Sequence, residues 1–295
     1  MTAEIISGKQ LASDIRGELK QEVESLKEKG ITPGLAVILV GEDPASQSYV
    51  RAKEKACAEI GIYSDDNKLP SDISEEKLLS LIEEKNNDPS IHGILVQLPL
   101  PKHIDEAKVL LAVNPDKDVD GFHPVNVGKL VVGQKAFLPC TPHGIVQMIK
   151  RAGVQLEGAN VVIVGRSNIV GKPLANILMQ KSELGNATVT VCHTRTKDIS
   201  KHTIEADIVV AATGFPNSVT ADMVKEGAVV IDVGVNRVPD DTKKKGYRLI
   251  GDVDFDAVSQ KASFITPVPG GVGPMTITML LYNTVDSSKT ANNIK

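Results

Sequence analysis

The sequence predicts an α/β protein made of two units, each a parallel sheet flanked by helices. Three observations carry this. Short, uninterrupted apolar runs recur along the chain, namely LAVILVG (35–41), HGILVQLPLP (92–101), ANVVIVG (159–165), DIVVAAT (207–213) and AVVIDVG (228–234), and such runs are how strands buried on both faces read. Amphipathic segments of helical period separate them, and strands alternating with helices imply parallel sheets with right-handed crossovers. The chain has 295 residues, more than most single domains hold, and it divides near residue 140.

Each element has its own signal. Leu11, Ile15, Leu19, Val23 and Leu26 recur at helical spacing, and Gly30 closes that helix. After the strand 35–41 comes SQSYVRAKEKACAEIG (46–61), which as a helix sets Tyr49, Lys53 and Cys57 four residues apart on one flank. A short strand near 62–68 leads to a helix from Ser74, with Leu78, Leu79 and Ile82 apolar. The strand in 92–101 is stopped by two prolines, and a short helix covers about 104–112. The stretch NPDKDVDGFHPVNVGKL (114–130) has the composition of a long loop, and such loops are often functional. A second series begins after PCTPHG (139–144): a helix 145–150, the strand 159–165, a helix from Gly171 to Glu183, then strands in 188–193, 207–213 and 228–234. A last helix spans about Met275 to Val285.

Composition excludes several function classes. Aromatic residues total 3%, with no tryptophan, too few for a platform that stacks single-stranded nucleic acid. The net charge of −4 leaves no electrostatic footprint for DNA or RNA. The one basic run, Lys243–Lys245, follows Asp240 and Asp241 and reads as a solvated turn. Cys57, Cys140 and Cys192 are widely spaced, without CxxC or Cys/His ligand spacing, so neither a disulfide nor a metal site is expected. A reducing cytoplasm fits. MTAEIISGKQ resembles neither a secretory signal nor a transit peptide, and no apolar run approaches the roughly 18 residues of a membrane span.

The turn after the strand 159–165 reads GRSNIVGKP. Strand, glycine turn and helix N-terminus together form a pyrophosphate cradle, although Gly165-x-Ser167-x-x-x-Gly171 departs from the usual GxGxxG. A tight turn without ligand is the alternative. An NAD site ordinarily has an acidic residue ending the next strand; this chain has Thr194 and Arg195 in CHTRT. A hydroxyl and a guanidinium suit a 2′-phosphate, so NADP is the expected cofactor. Taken alone, Arg195 also reads as a solvated loop arginine.

Six stretches occur in order over nearly the whole chain: SYVRAKEKACAEIGI, GILVQLPLP, PDKDVDGFHP, PCTPHG, VVIVGRSNIVGKP and TPVPGGVGPMT. In them the chain resembles the bifunctional methylenetetrahydrofolate dehydrogenase/methenyltetrahydrofolate cyclohydrolase family. The resemblance implies a catalytic, folate-binding domain over 1–140, onto which a C-terminal helix about 270–295 packs back. It implies a Rossmann-type NADP-binding domain over 141–269, an active-site cleft between the two, and a homodimer paired through the nucleotide domain. It implies Lys53, Tyr49 and Gln97 as catalytic, and Ser46, Tyr49, Gln97, Asp120, Pro267, Gly270 and Gly271 as contacts to the folate. Gly165, Arg166, Ser167, Gly171, Thr194, Arg195, Thr213, Gly214 and Val235 would hold the nucleotide. Thr194 stands where the family often has serine. The large synthetase domain of some relatives is not expected.

The residue types suit that chemistry. Loss of hydride from the methylene carbon of 5,10-methylenetetrahydrofolate needs positioning rather than proton transfer. Hydration and opening of the methenyl ring need a base for water and an acid for the leaving nitrogen. One lysine oriented by a tyrosine and a glutamine can serve both, and a carboxylate such as Asp120 can accept from the amino-pyrimidine edge. The residues alone leave simpler readings open: Lys53 snorkelling past a half-buried tyrosine, Asp120 capping a turn, Gln97 satisfying local backbone. Asp116, Asp118, His123 and His143 read as loop, capping or packing residues, and Cys140 as a small buried apolar one. Two other functions fit less well: an NADP enzyme acting on an amino or hydroxy acid, and a non-catalytic NADP sensor. A scaffold has no use for Lys53, Gln97 and Asp120 together.

Overall fold

A two-residue strand, β1 (Glu4–Ile5), precedes the first helix, α1 (Gly8–Glu28). Along α1, Ile15, Leu19, Val23 and Leu26 are all buried, as their spacing requires. The structure, a computed structural model, describes residues 2–243 and 246–294. It divides into two compact units. One joins the residues up to Ala12 with Thr141–Thr276, and the other joins Ser13–Cys140 with the residues from Ile277 on.

The unit that begins at Ser13 has a three-stranded parallel sheet in the order β3-β2-β4. Its central strand β2 (Gly34–Val40) is buried throughout, with β3 (Tyr63–Leu69) and β4 (Gly93–Val96) beside it. The helices α2 (Pro44–Ile60), α3 (Glu75–Asn87) and α4 (Glu106–Ala112) connect and follow the strands. Ser74 caps α3 by accepting from Lys77 N. Ala36, Ile38, Val40, Ile94 and Val96 form a core with Leu78, Ile82 and Val109, each large aliphatic side chain contributing about 1.5–3 kcal/mol on burial. The chain runs from β2 outward to β3 and then back past β2 to β4. The carboxyl ends of β2 and β4 therefore flank the point where strand order reverses, which is where open α/β sheets bind ligands.

The other unit carries a six-stranded sheet in the order β1-β11-β8-β7-β5-β6, with every pairing parallel. Its strands are β5 (Asn160–Val164), β6 (Thr188–Cys192), β7 (Ile208–Ala211), β8 (Val229–Asp232) and β11 (Phe264–Ile265), together with β1. The helices α6 (Cys140–Arg151), α7 (Gly171–Met179), α8 (Ser200–Thr203) and α9 (Phe255–Val258) link them, and α10 (Val272–Ala291) follows β11. Val162, Val164, Val209, Ala211, Val230 and Ile265 pack with Val219, Val224 and Val258 in its core. Here too the order reverses, between β5 and β7.

Several expectations are corrected. Residues 114–130 are not all loop: a fifth helix of the Ser13 unit, α5 (Pro124–Val131), occupies their end. Pro124 stands at its first position, where the missing N–H costs nothing, and His123 Nδ1 accepts from Val125 N. The strand in 92–101 stops at Val96, because Pro99 and Pro101 cannot donate to a ladder. α10 begins at Val272 with Pro274 inside its first turn. The N-terminal residues do not belong with 13–140. β1 pairs with β11, Glu4 against Phe264 and Ile5 against Ile265, and Ala3 N donates to Ser259 O at 2.7 Å. An antiparallel hairpin, β9 (Asn236–Pro239) and β10 (Tyr247–Ile250), lies between β8 and α9, where no strand was expected. Of the basic run Lys243–Lys245, Lys244 and Lys245 lie outside the described residues. Among the described residues no helix is long and apolar enough to cross a membrane.

Candidate active site

Asp43 sets the start of α2: its Oδ2 accepts from Ser46 N at 2.7 Å, with Pro44 at the first helical position. From there Ser46, Val50, Lys53, Cys57 and Ile60 form one buried stripe, at the spacing of a core-facing helix. A lysine therefore stands where an aliphatic residue is the ordinary choice. Lys53 is only 8% exposed. Its Nζ donates to Gln97 Oε1 at 3.0 Å. Gln97 follows directly on β4, and its backbone N donates to Ile38 O while its Nε2 donates to Leu98 O, both at 2.8 Å. The backbone of β2 and of Leu98 thus fixes the residue that fixes the amine, at the carboxyl end of the sheet.

Burial holds the Lys53 amine below the usual lysine range, and the charge of Asp120 opposes that shift. Burial likewise pushes the Asp120 carboxyl up, while Lys53 and a hydrogen bond with Cys140 pull it down. Desolvation therefore favours the neutral form of each group, and each stabilises the other's charge. Such a pair can exchange a proton without changing the net charge of the site. The Cys140 thiol is buried, lies 3.4 Å from Val119 O, and is pushed well up by burial. Tyr49 does not complete the arrangement as expected. It is turned toward solvent at 41% exposure, and among the described residues its hydroxyl has no hydrogen bond; Gln97 is the partner of the amine. A cavity of about 710 Å³ on another face of α2, lined by Glu42, Gln47, Arg51 and Lys68 among others, includes none of these groups.

In the six-stranded unit, β5 ends at Gly165 with φ +140. A Cβ there would stand 2.2 Å from Ala212 O, so only glycine lets the ends of β5 and β7 approach. Ser167 Oγ accepts from Val170 N at 3.1 Å and Gly171 N at 3.5 Å, which leaves its own O–H to donate outward. Arg166, Thr194 and Arg195 are exposed at the ends of β5 and β6. The turn after β7 carries Thr213 and Gly214, and Val235 follows β8 at 51% exposure. A glycine cradle, a helix N-terminus and two exposed guanidinium groups are the donor set that a dinucleotide with an extra phosphate requires, so these residues fit NADP.

Comparison with known proteins agrees along the whole chain. The model of the tetrahydrofolate dehydrogenase/cyclohydrolase catalytic domain matches residues 6–120, and that of its NAD(P)-binding domain matches 139–292. The chain belongs to the tetrahydrofolate dehydrogenase/cyclohydrolase family. It is 60% identical to the bifunctional protein FolD of Syntrophus aciditrophicus over 98% of both chains. A crystal structure of the FolD enzyme of Campylobacter jejuni is 52% identical, with TM-score 0.92, over 98% of this chain and 99% of that one. The Trypanosoma brucei enzyme, solved with NADP cofactor and an inhibitor, is 42% identical with TM-score 0.93 over 99% of each chain.

Within this family member the candidate residues fall into two groups. Ser46, Tyr49, Lys53, Gln97 and Asp120 lie in the unit with the three-stranded sheet, and the nucleotide candidates, with Pro267, Gly270 and Gly271, lie in the other. Sequence reasoning missed Asn283. It is buried on α10, and its Nδ2 donates to Val119 O at 2.8 Å and to Leu138 O at 2.9 Å. That amide pins the residue before Asp120 to the segment that leads into Cys140. The available signal was an amide inside the apolar run MLLYNTV (279–285). Asp118 is the capping residue of the loop, accepting from Phe122 N, His123 N and Asn126 Nδ2.

Proposed function

We infer that this protein is a bifunctional one-carbon folate enzyme. It oxidises 5,10-methylenetetrahydrofolate to the 5,10-methenyl form with NADP, then hydrolyses that product to 10-formyltetrahydrofolate. The observation that carries the reading is the buried Lys53 amine, held by Gln97 and charge-coupled to Asp120, in a chain that matches both domains of the family. NADP supplies the acceptor for hydride. The chain's own residues position the folate, exclude water until it is needed, and move protons.

In the second reaction water adds to the methenyl carbon. The neutral Lys53 amine takes a proton from that water and returns it to N5 as the carbon–N5 bond breaks. The remaining hydroxyl proton leaves to solvent as the formyl C=O forms on N10. An amine held below its ordinary pKa is suited to both transfers. Gln97 keeps the amine aimed, and Asp120 accepts hydrogen bonds from the amino-pyrimidine edge. Ser46 and Tyr49 line the same helix beside the substrate, and Pro267, Gly270 and Gly271 offer backbone for close approach. Gly165, Arg166, Ser167 and Gly171 hold the pyrophosphate side of the nucleotide. Thr194 and Arg195 take its 2′-phosphate, and Thr213, Gly214 and Val235 complete the contacts. The protein acts in the cytoplasm, in keeping with three free, buried cysteines, and works as a homodimer through its nucleotide domain.

Lys53→Met tests the assignment, because it keeps the apolar stem and removes the amine. Cyclohydrolase activity is expected to fall about 100-fold or more, while dehydrogenase turnover persists in part, so methenyl product accumulates from the methylene substrate and NADP. Hydrolysis of methenyl substrate at the parental rate would return Lys53 to a packing role.

A further inference from the structure

The stretches VVIDVG (229–234) and IGDVDF (250–255) each set an aspartate within two residues of a glycine, and the fold stacks them. Asp232 ends β8, is 2% exposed, and accepts three backbone N–H groups: Gly234 and Asp252 on Oδ1, both at 2.9 Å, and Val253 on Oδ2 at 3.0 Å. Asp252, fully buried, accepts in turn from Thr213 N at 2.6 Å and Gly214 N at 2.8 Å on Oδ2, and from Asn236 Nδ2 at 2.9 Å on Oδ1. The glycines make the stacking possible. A Cβ on Gly251 would stand 1.7 Å from Asp232 Oδ2, and one on Gly234 would stand 2.1 Å from Asp252 Oδ1. The network extends to the residue after β11, Thr266, whose Oγ1 accepts from Asp232 N at 2.7 Å.

Two carboxylates so deeply buried are costly unless their oxygens are filled. Here they are filled almost wholly by the backbone of turns that follow β7, β8 and β10. The outermost acceptor grips consecutive N–H groups of a single turn, Thr213–Gly214, at the carboxyl end of β7. A carboxylate can do this because one oxygen accepts from two adjacent donors. Resting on the nucleotide reading given above, we propose that Asp252 is a positioning residue for NADP: it sets the Thr213–Gly214 turn in its binding geometry, and Asp232 holds Asp252 in place. Asp252 makes no contact with the nucleotide itself. Its effect is to remove the ordering cost that a free turn would incur on binding.

The test measures the NADP dissociation constant of the full-length protein by calorimetry. It also measures amide hydrogen exchange at 213–214 and hydrolysis of methenyltetrahydrofolate without nucleotide. Asp252→Ala is expected to raise the dissociation constant at least tenfold and to speed exchange at 213–214, with nucleotide-free hydrolysis within about twofold of the parent. Asp252→Asn keeps an oxygen for the turn but sets its amide against the Asn236 amide, and is expected to weaken NADP less. If Asp252→Ala does not fold, Asp252→Asn decides the matter. Parental NADP affinity in the Asp252 variants, or loss of hydrolysis in parallel with NADP binding, overturns the proposal and leaves Asp252 a structural staple. A parent protein that binds no NADP overturns the nucleotide reading, and this inference with it.

Discussion

Lys53 stands at a core position with one side-chain acceptor, so its protonation is set by desolvation against the charge of Asp120. That balance has a sign. Asp120 raises the amine's pKa, so removing its charge lowers it further. In the proposed mechanism hydrolysis at saturating substrate needs the neutral amine, and its rate climbs as the amine loses its proton. In Asp120→Asn the acid limb of turnover against pH is therefore expected at lower pH than in the parent, alongside weaker folate binding. A limb that stays or moves up would show that Asp120 is not the charge partner. At the nucleotide end, Arg195 is exposed at the end of β6 and the strand offers no acidic residue. Arg195→Ala is expected to weaken NADP by about 1.5–3 kcal/mol, the range for a hydrogen bond to a charged group, with NAD nearly unchanged. Equal changes for both nucleotides would remove the 2′-phosphate from Arg195. The types of these residues were legible in the sequence because lysine on an apolar helical stripe and arginine in place of an acid are local departures from pattern. The orientation of Tyr49 was not, since four residues on a helix give the flank but not which edge of it faces solvent.

Among the elements, α6 carries the clearest titration. His143 lies in its first turns at 5% exposure, and burial lowers the imidazole to about 4. The unfolded chain binds a proton near the ordinary 6.5, so stability is complete above that pH and is lost as pH falls from there toward 4. The full loss is about 3 kcal/mol. His143→Gln removes the titration: denaturant unfolding of the two proteins should run parallel above pH 6.5 and diverge below it, with the parent falling faster. Parallel curves throughout would mean that the imidazole charges freely in the folded state. Strands buried on both faces were easy to read because every residue of β2 or β8 is apolar or nearly so. α5, β1 and the β9–β10 hairpin were not. α5 is short and its cap is a histidine, β1 has two residues, and the hairpin strands, NRVP and YRLI, show neither alternation nor an apolar run. Each depends on partners distant in sequence rather than on its own propensity.

For the whole molecule the two units have separate sheets and cores, while among the described residues β6 pairs on one side only and leaves an edge. An open edge strand is a template for a second chain. Sedimentation at micromolar concentration is expected to give twice the 31.5 kDa chain mass, with slower amide exchange across 188–192 as concentration rises. A monomer at every concentration would exclude the homodimer. The division of the chain was only partly legible. The start of a second αβ series after PCTPHG (139–144) marked where one series of strands gives way to the other, yet the first twelve residues joined the far unit through pairing with β11, and nothing in MTAEIISGKQ signals that partner.

The sequence by itself determined the α/β class, the strands of the two larger sheets apart from β1 and β11, most helices, the turn at Gly165, and the lysine, glutamine and aspartate of the candidate site. Each is written in local periodicity, in residue type, or in motifs whose order is preserved. Only the tertiary structure decided that Gln97 rather than Tyr49 holds the Lys53 amine, that Asn283 clamps the backbone beside Asp120, and that Asp232 and Asp252 tie three turns together. Those are hydrogen bonds between groups far apart along the chain, and a donor's sequence neighbourhood carries no record of the acceptor that folding brings to it.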